Sequence, residues 1–116
     1  MIDLRQLILR IDDNKDIPTH LCLDLDCRIQ GDDPKPLIKV INYIVNFLRP
    51  LTDQEIQIAL DAQRGNFVLA FIAYTPSAEM APVSTQLSEA LKLYEASMQT
   101  AFEPGKYIQM ILTFPK

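Results

Sequence analysis

Pro34-Lys35-Pro36-Leu37-Ile38-Lys39-Val40-Ile41-Asn42-Tyr43-Ile44-Val45-Asn46-Phe47-Leu48-Arg49-Pro50 is the stretch whose pattern decides the fold. Leu37, Ile41, Ile44, Val45 and Leu48 recur at the spacing of one helical face. Lys39, Asn42, Asn46 and Arg49 form a separate polar stripe on the same helix. Asp33 can cap it with Pro34 in its first position, and Pro50 ends it. The spacing therefore predicts an amphipathic helix over residues 34–48.

Upstream, residues 19–27 alternate. Leu21, Leu23 and Leu25 fall on one side and Cys22, Asp24 and Asp26 on the other, which predicts a half-buried strand. Residues 3–11 fit either a short helix, through Leu4, Leu7, Ile8 and Ile11, or the start of a strand at Leu7-Ile8-Leu9. Downstream, Ile56, Ile58 and Leu60 alternate with Gln57, Ala59 and Asp61, and Gln63-Arg64-Gly65-Asn66 makes a hairpin turn. The returning strand, residues 67–74, is apolar on both sides and belongs in the middle of a sheet. Residues 75–84 hold Pro76 and Pro82 and predict a loop. Leu87, Leu91, Tyr94 and Met98 predict a second helix over about residues 85–101. Pro104-Gly105 is a turn, and a last strand spans residues 107–114. The order gives an α+β fold: a two-layer α/β sandwich, with a mixed, mainly antiparallel sheet and helices on one face.

Composition bounds the rest. At 116 residues the length predicts one domain over 1–116, with 48% hydrophobic residues to build a core and no long disordered stretch. The net charge of −4, with no Lys/Arg cluster, argues against nucleic acid or an anionic membrane as partner. No apolar run is long enough to span a bilayer, and the first residues lack the pattern of a secretory signal. Cys22 and Cys27 fall on opposite faces of one predicted strand, so no disulfide between them is expected and a cytoplasmic setting is.

Leu23-Asp24-Leu25-Asp26 with Gly31-Asp32, the helix end Asn42 to Arg49, and the tail from Glu103 to Pro115 together resemble the ATP-binding domain of histidine kinases, a fold shared with gyrase B and MutL. Leu23-Asp24-Leu25-Asp26 followed by Gly31-Asp32 is similar to the family's L-D-L-D and G-D. Asn42 to Arg49 is similar to its N-x-x-x-N-A-x-K helix end, and Glu103-Pro104-Gly105-Lys106 with the strand to Pro115 is similar to its E-P-G-K tail. The resemblance covers about residues 20–115. It implies that Asn46 helps hold Mg²⁺ against a triphosphate, with Asn42 one turn earlier and Arg49 near phosphate, if ATP is bound. An amide oxygen is a hard ligand that Mg²⁺ accepts.

The remaining family motifs are missing. Where the family has D-x-G-x-G, with a carboxylate for adenine, this chain has Ala73-Tyr74-Thr75-Pro76-Ser77, and Tyr74 is expected to fill adenine's space. Where the family has G-x-G-L-G-L, it has Ser84-Thr85-Gln86-Leu87-Ser88-Glu89. No glycine lies between Gly65 and Gly105, so bare backbone is not available to wrap phosphates.

Other chemistry-bearing residues read as structural. His20, the one histidine, opens a strand and has no second His or Cys at metal-ligand spacing. Cys22 alternates with carboxylates, which disfavour a thiolate. Asp24 and Asp26 read as a solvated strand face. The expectation is a degenerate histidine kinase-type domain, a pseudokinase with no catalytic residues and no cofactor, acting as a protein-interaction module in two-component signalling. Its expected partner is a response regulator, a kinase or a second copy. The alternative is a divergent but active Mg-ATP-binding domain of a histidine kinase or an anti-sigma-type kinase, holding Mg²⁺ through Asn46.

Overall fold

The structure, a computed structural model, describes residues 1–116. In chain order it contains β1 (Ile2–Asp3), α1 (Leu4–Asp13), β2 (Thr19–Leu23), β3 (Arg28–Ile29) and α2 (Lys35–Leu48). A 3₁₀ turn at Arg49–Leu51 leads to β4 (Ile56–Gln63), β5 (Asn66–Tyr74), α3 (Gln86–Lys92), β6 (Ser97–Glu103) and β7 (Tyr107–Pro115).

The helix predicted from the central stretch is α2. Its five stripe residues are buried, together with Val40. The helix starts one residue later than the sequence predicts, with Pro34 in the cap position, and Asp33 Oδ1 accepts a hydrogen bond from Lys35 N at 3.0 Å. Each fully buried Leu or Ile contributes about 1.5–3 kcal/mol from area removed from water, so this stripe is a main anchor of the helical layer. In residues 3–11 the helix wins. Asp3 caps α1 by accepting from Gln6 N at 3.2 Å, and Leu4, Leu7, Ile8 and Ile11 are buried.

Five strands form one sheet in the order β2-β4-β5-β7-β6. Only β2 and β4 are parallel, and α2 lies in the connection between them, as a parallel crossover requires. The other pairs are antiparallel. β5 is third of five, the central position its two-sided apolar pattern predicts. Gly65 takes φ +85° in the β4–β5 turn, a conformation open to glycine at little cost. Phe67, Leu69, Phe71 and Ala73 of β5 and Ile108, Met110, Leu112 and Phe114 of β7 join the helices in one cluster of 27 buried residues. No helix is long and apolar enough to cross a membrane.

Two expectations need correction. The helix predicted over residues 85–101 stops at Lys92. Leu91 O accepts from Ala96 N, Lys92 O accepts from Glu95 N, and Glu95 sits at φ +56°, which is a Schellman stop. Ser97–Glu103 then forms the edge strand β6, pairing with β7 from Ser97↔Thr113 to Glu103↔Tyr107. Likewise the strand predicted over 19–27 ends at Leu23. Asp24 Oδ2 accepts from Ala62 N, Asp26 turns the chain at φ +59°, and Leu25 is 67% exposed instead of facing the core. Cys27 goes inward and Cys22 outward, both as free thiols.

Candidate functional site

The largest cavity, about 490 Å³, lies between α2 and the segment that leads into α3. Pro36, Val40 and Tyr43 line it from α2, and Ser84, Gln86, Leu87 and Ala90 from the other side. Lys35 and Lys39 stand one helical turn apart at its mouth, both exposed, beside Asp33. The ion pairs in the structure are Arg28 with Asp3 and Lys106 with Glu103, so neither cavity lysine has a carboxylate partner.

Tyr43 ties the two walls together. Its Oη accepts a hydrogen bond from Ser84 N at 3.0 Å. Ser84 Oγ in turn accepts from Gln86 N at 3.2 Å, so one residue both anchors the segment to α2 and starts α3. One turn along α2, Phe47 stacks on Tyr43 with centroids 6.1 Å apart and planes 23° apart. The inward i, i+4 pair on this flank of α2 is therefore aromatic.

The start of α2 is held by Tyr94, which is 7% exposed. Its Oη donates to Asp33 O at 2.7 Å and accepts from Leu37 N at 3.1 Å. Burial pushes the phenol up from its ordinary range, the bond from Leu37 opposes this, and the Asp33 carboxylate adds to it.

None of the three residues expected to hold a nucleotide lines this cavity. Asn42 lies on the opposite flank of α2, in a depression shared with Arg10, Asn14 and Lys15. Asn46 is exposed, and its Oδ1 accepts from Lys15 Nζ at 3.3 Å. Arg49 belongs to the 3₁₀ turn, beside Thr52, Asp53 and Gln54. Tyr74 is also elsewhere. Ala73 is the β5 residue that faces the helices, while Tyr74 projects from the other face of the sheet opposite Tyr107. His20 is exposed on β2 in register with Gln57. No cluster of three or more His, Cys, Asp or Glu side chains is placed to hold a metal ion.

Residues 75–77, which follow β5, are fastened to the β6–β7 turn. Thr75 N donates to Lys106 O, and Gly105 N donates to Ser77 O. Sequence reasoning missed Lys35 and Tyr43 as site residues, and Phe47 as the ring stacked behind Tyr43. The aromatics look like core in an apolar-rich helix, and only the packing of residues 84–90 reveals which flank carries the cavity.

No family model matches the sequence, and no curated protein matches it. Solved structures do. The histidine kinase domain of the E. coli osmosensor EnvZ matches with TM-score 0.77 and 6% identity, over 98% of this chain and 86% of that one. The catalytic domain of histidine kinase ThkA matches with TM-score 0.71 and 16% identity, over 99% and 93%. Acinetobacter baumannii histidine kinase AdeS matches with TM-score 0.72 and 10% identity, over 98% of this chain but 65% of the AdeS chain. The chain therefore has the fold of histidine kinase ATPase catalytic domains, as the three sequence segments imply.

Proposed function

We propose that this domain has lost nucleotide binding and works as a protein-interaction module in bacterial-type signalling, in the cytoplasm, with a response regulator, a kinase or a second copy as partner. The observation that carries it is Tyr43, an aromatic side chain in the α2 wall of the cavity, backed by the stacked ring of Phe47. A phenol and a phenyl ring supply no carbonyl oxygen for Mg²⁺, which demands several close oxygen ligands. Two further features support it. The Tyr43–Ser84 bond holds the far wall against α2, and the segment between Gly65 and Gly105 has a side chain at every position.

One observation favours the alternative, a divergent Mg-ATP-binding domain. Lys35 and Lys39 are unpaired cations at the cavity mouth and suit phosphate. A thermal melt with millimolar Mg-ATP separates the two. A ligand at a hundred times its Kd stabilises by about 2.7 kcal/mol. We expect no change in Tm. A rise that Lys39→Ala abolishes would sink the nucleotide-free proposal.

A further inference from the structure

Lys35 and Lys39 stand one helical turn apart, both exposed and neither in an ion pair, over a partly apolar floor. The half-buried Pro36, Tyr43 and Ala90 supply its accessible apolar surface, above the buried Val40 and Leu87. Asp33 is the one carboxylate at the rim, and its Oδ1 is already committed to Lys35 N. An occupant must then offer negative charge at one end and an apolar body at the other.

From this charge complementarity we propose that the groove between α2 and residues 84–90 docks a short acidic segment of a partner protein, one that carries a large apolar side chain beside its carboxylates. The inference rests on the proposal that no nucleotide occupies the cavity. The apolar side chain packs on the half-buried Pro36, Tyr43 and Ala90 and supplies most of the affinity, because exposed ion pairs contribute little each. The carboxylates pair with Lys35 and Lys39, fixing the direction of the segment and raising its association rate.

The test is a random-peptide phage library selected on the wild-type protein. Enriched peptides are then made synthetically and titrated by fluorescence polarisation. We expect Asp or Glu next to Leu, Ile, Phe or Met among the winners. Binding should weaken about tenfold in the Lys35→Glu/Lys39→Glu double variant, and should also weaken as salt is raised. Both lysines are exposed, so the double variant should keep its Tm, and amide shifts on binding should centre on Val40, Ser84 and Leu87. No enrichment of acidic residues, equal binding to the double variant, or shifts on the open face of the sheet would each overturn the proposal. So would self-association lost in both the double variant and Leu25→Ala. That result would make a second copy the occupant, through the exposed Leu25 between Asp24 and Asp26. Adding Mg-ATP keeps the two proposals separable. If nucleotide raises Tm and displaces an acidic peptide, the nucleotide-free proposal falls and the docking inference, which rests on it, falls with it. If nucleotide does nothing and no acidic peptide is selected, the docking inference falls alone.

Discussion

Replacing Tyr94 by Phe removes one oxygen and two hydrogen bonds while leaving the ring in place. Tyr94 Oη donates to Asp33 O and accepts from Leu37 N, an amide in the first turn of α2 that has no partner within its own helix. Leu37 is fully buried, so water cannot take over. Leaving a buried polar group unsatisfied costs about 1–3 kcal/mol. With the Asp33 carbonyl partly able to find water, the sum is about 2–4 kcal/mol. At about 2.1 cal/mol/K of unfolding entropy per residue, each kcal/mol is worth about 4 °C for this length, so Tm should fall by about 8–16 °C. Urea unfolding should give the same loss with an unchanged slope. A pH series adds a signature that a packing defect lacks. The folded state holds the phenol proton more tightly than the unfolded chain does, mainly through burial. Its contribution is therefore complete below the ordinary tyrosine range, about pH 10, and is lost as pH rises through the folded value. Tyr94→Phe should remove that alkaline decline. A loss below about 0.5 kcal/mol, or an alkaline limb no shallower in the variant than in the wild type, would refute the role given to this oxygen; a residual limb is expected from Cys27, whose thiol is also pushed up.

Gly31→Ala and Gly65→Ala separate strain from crowding. Both glycines have positive φ, but a Cβ at Gly31 meets Ile2 and Tyr94 atoms at 3.2–3.3 Å, whereas one at Gly65 meets nothing within 4 Å. Urea titration should give about 1 kcal/mol for Gly65→Ala and clearly more for Gly31→Ala; equal values would contradict the packing of Gly31 on Tyr94. The two thiols should also differ. Cys22 should react with an aromatic disulfide reagent at neutral pH, and Cys27 only on unfolding. Cys27 is buried, and burial first, then the Asp24 carboxylate, pushes its thiol up.

Local rules carried the scaffold where a period and a stop signal coincided. α2 has a buried stripe bounded by Asp33 and Pro50, and the β4–β5 hairpin has alternation bounded by Gly65; both form where the pattern predicts. β6 was hidden because Met98 and Phe102 lie four residues apart. That spacing stays on one face in a helix and also in a strand. Nothing in the sequence marked the stop, because a glutamate, Glu95, takes the left-handed position that usually falls to glycine. The two-residue pairing of β1 with β3 depends on a partner far along the chain, Ile2↔Ile29, which no window of sequence contains.

The candidate site failed to show for a related reason. α2 carries two interleaved i, i+4 pairs, Asn42/Asn46 and Tyr43/Phe47, one residue apart. One residue is about 100° of helix, so the pairs flank the buried stripe on opposite sides. Residue chemistry draws attention to the amides, but packing decides which flank has a wall to face. α1 closes against the asparagine side, where Lys15 reaches Asn46. Residues 84–90 stand off on the aromatic side and leave the cavity between. The groove's chemistry is then fixed by what lines it: Tyr43, Pro36 and Ala90 among polar Ser84 and Gln86, and two free ammonium groups in the first turns of α2. Such a surface discriminates by matching an acidic end to an apolar body. Removing the charge and removing the apolar contact should therefore weaken binding in distinguishable ways, with the first sensitive to salt and the second not.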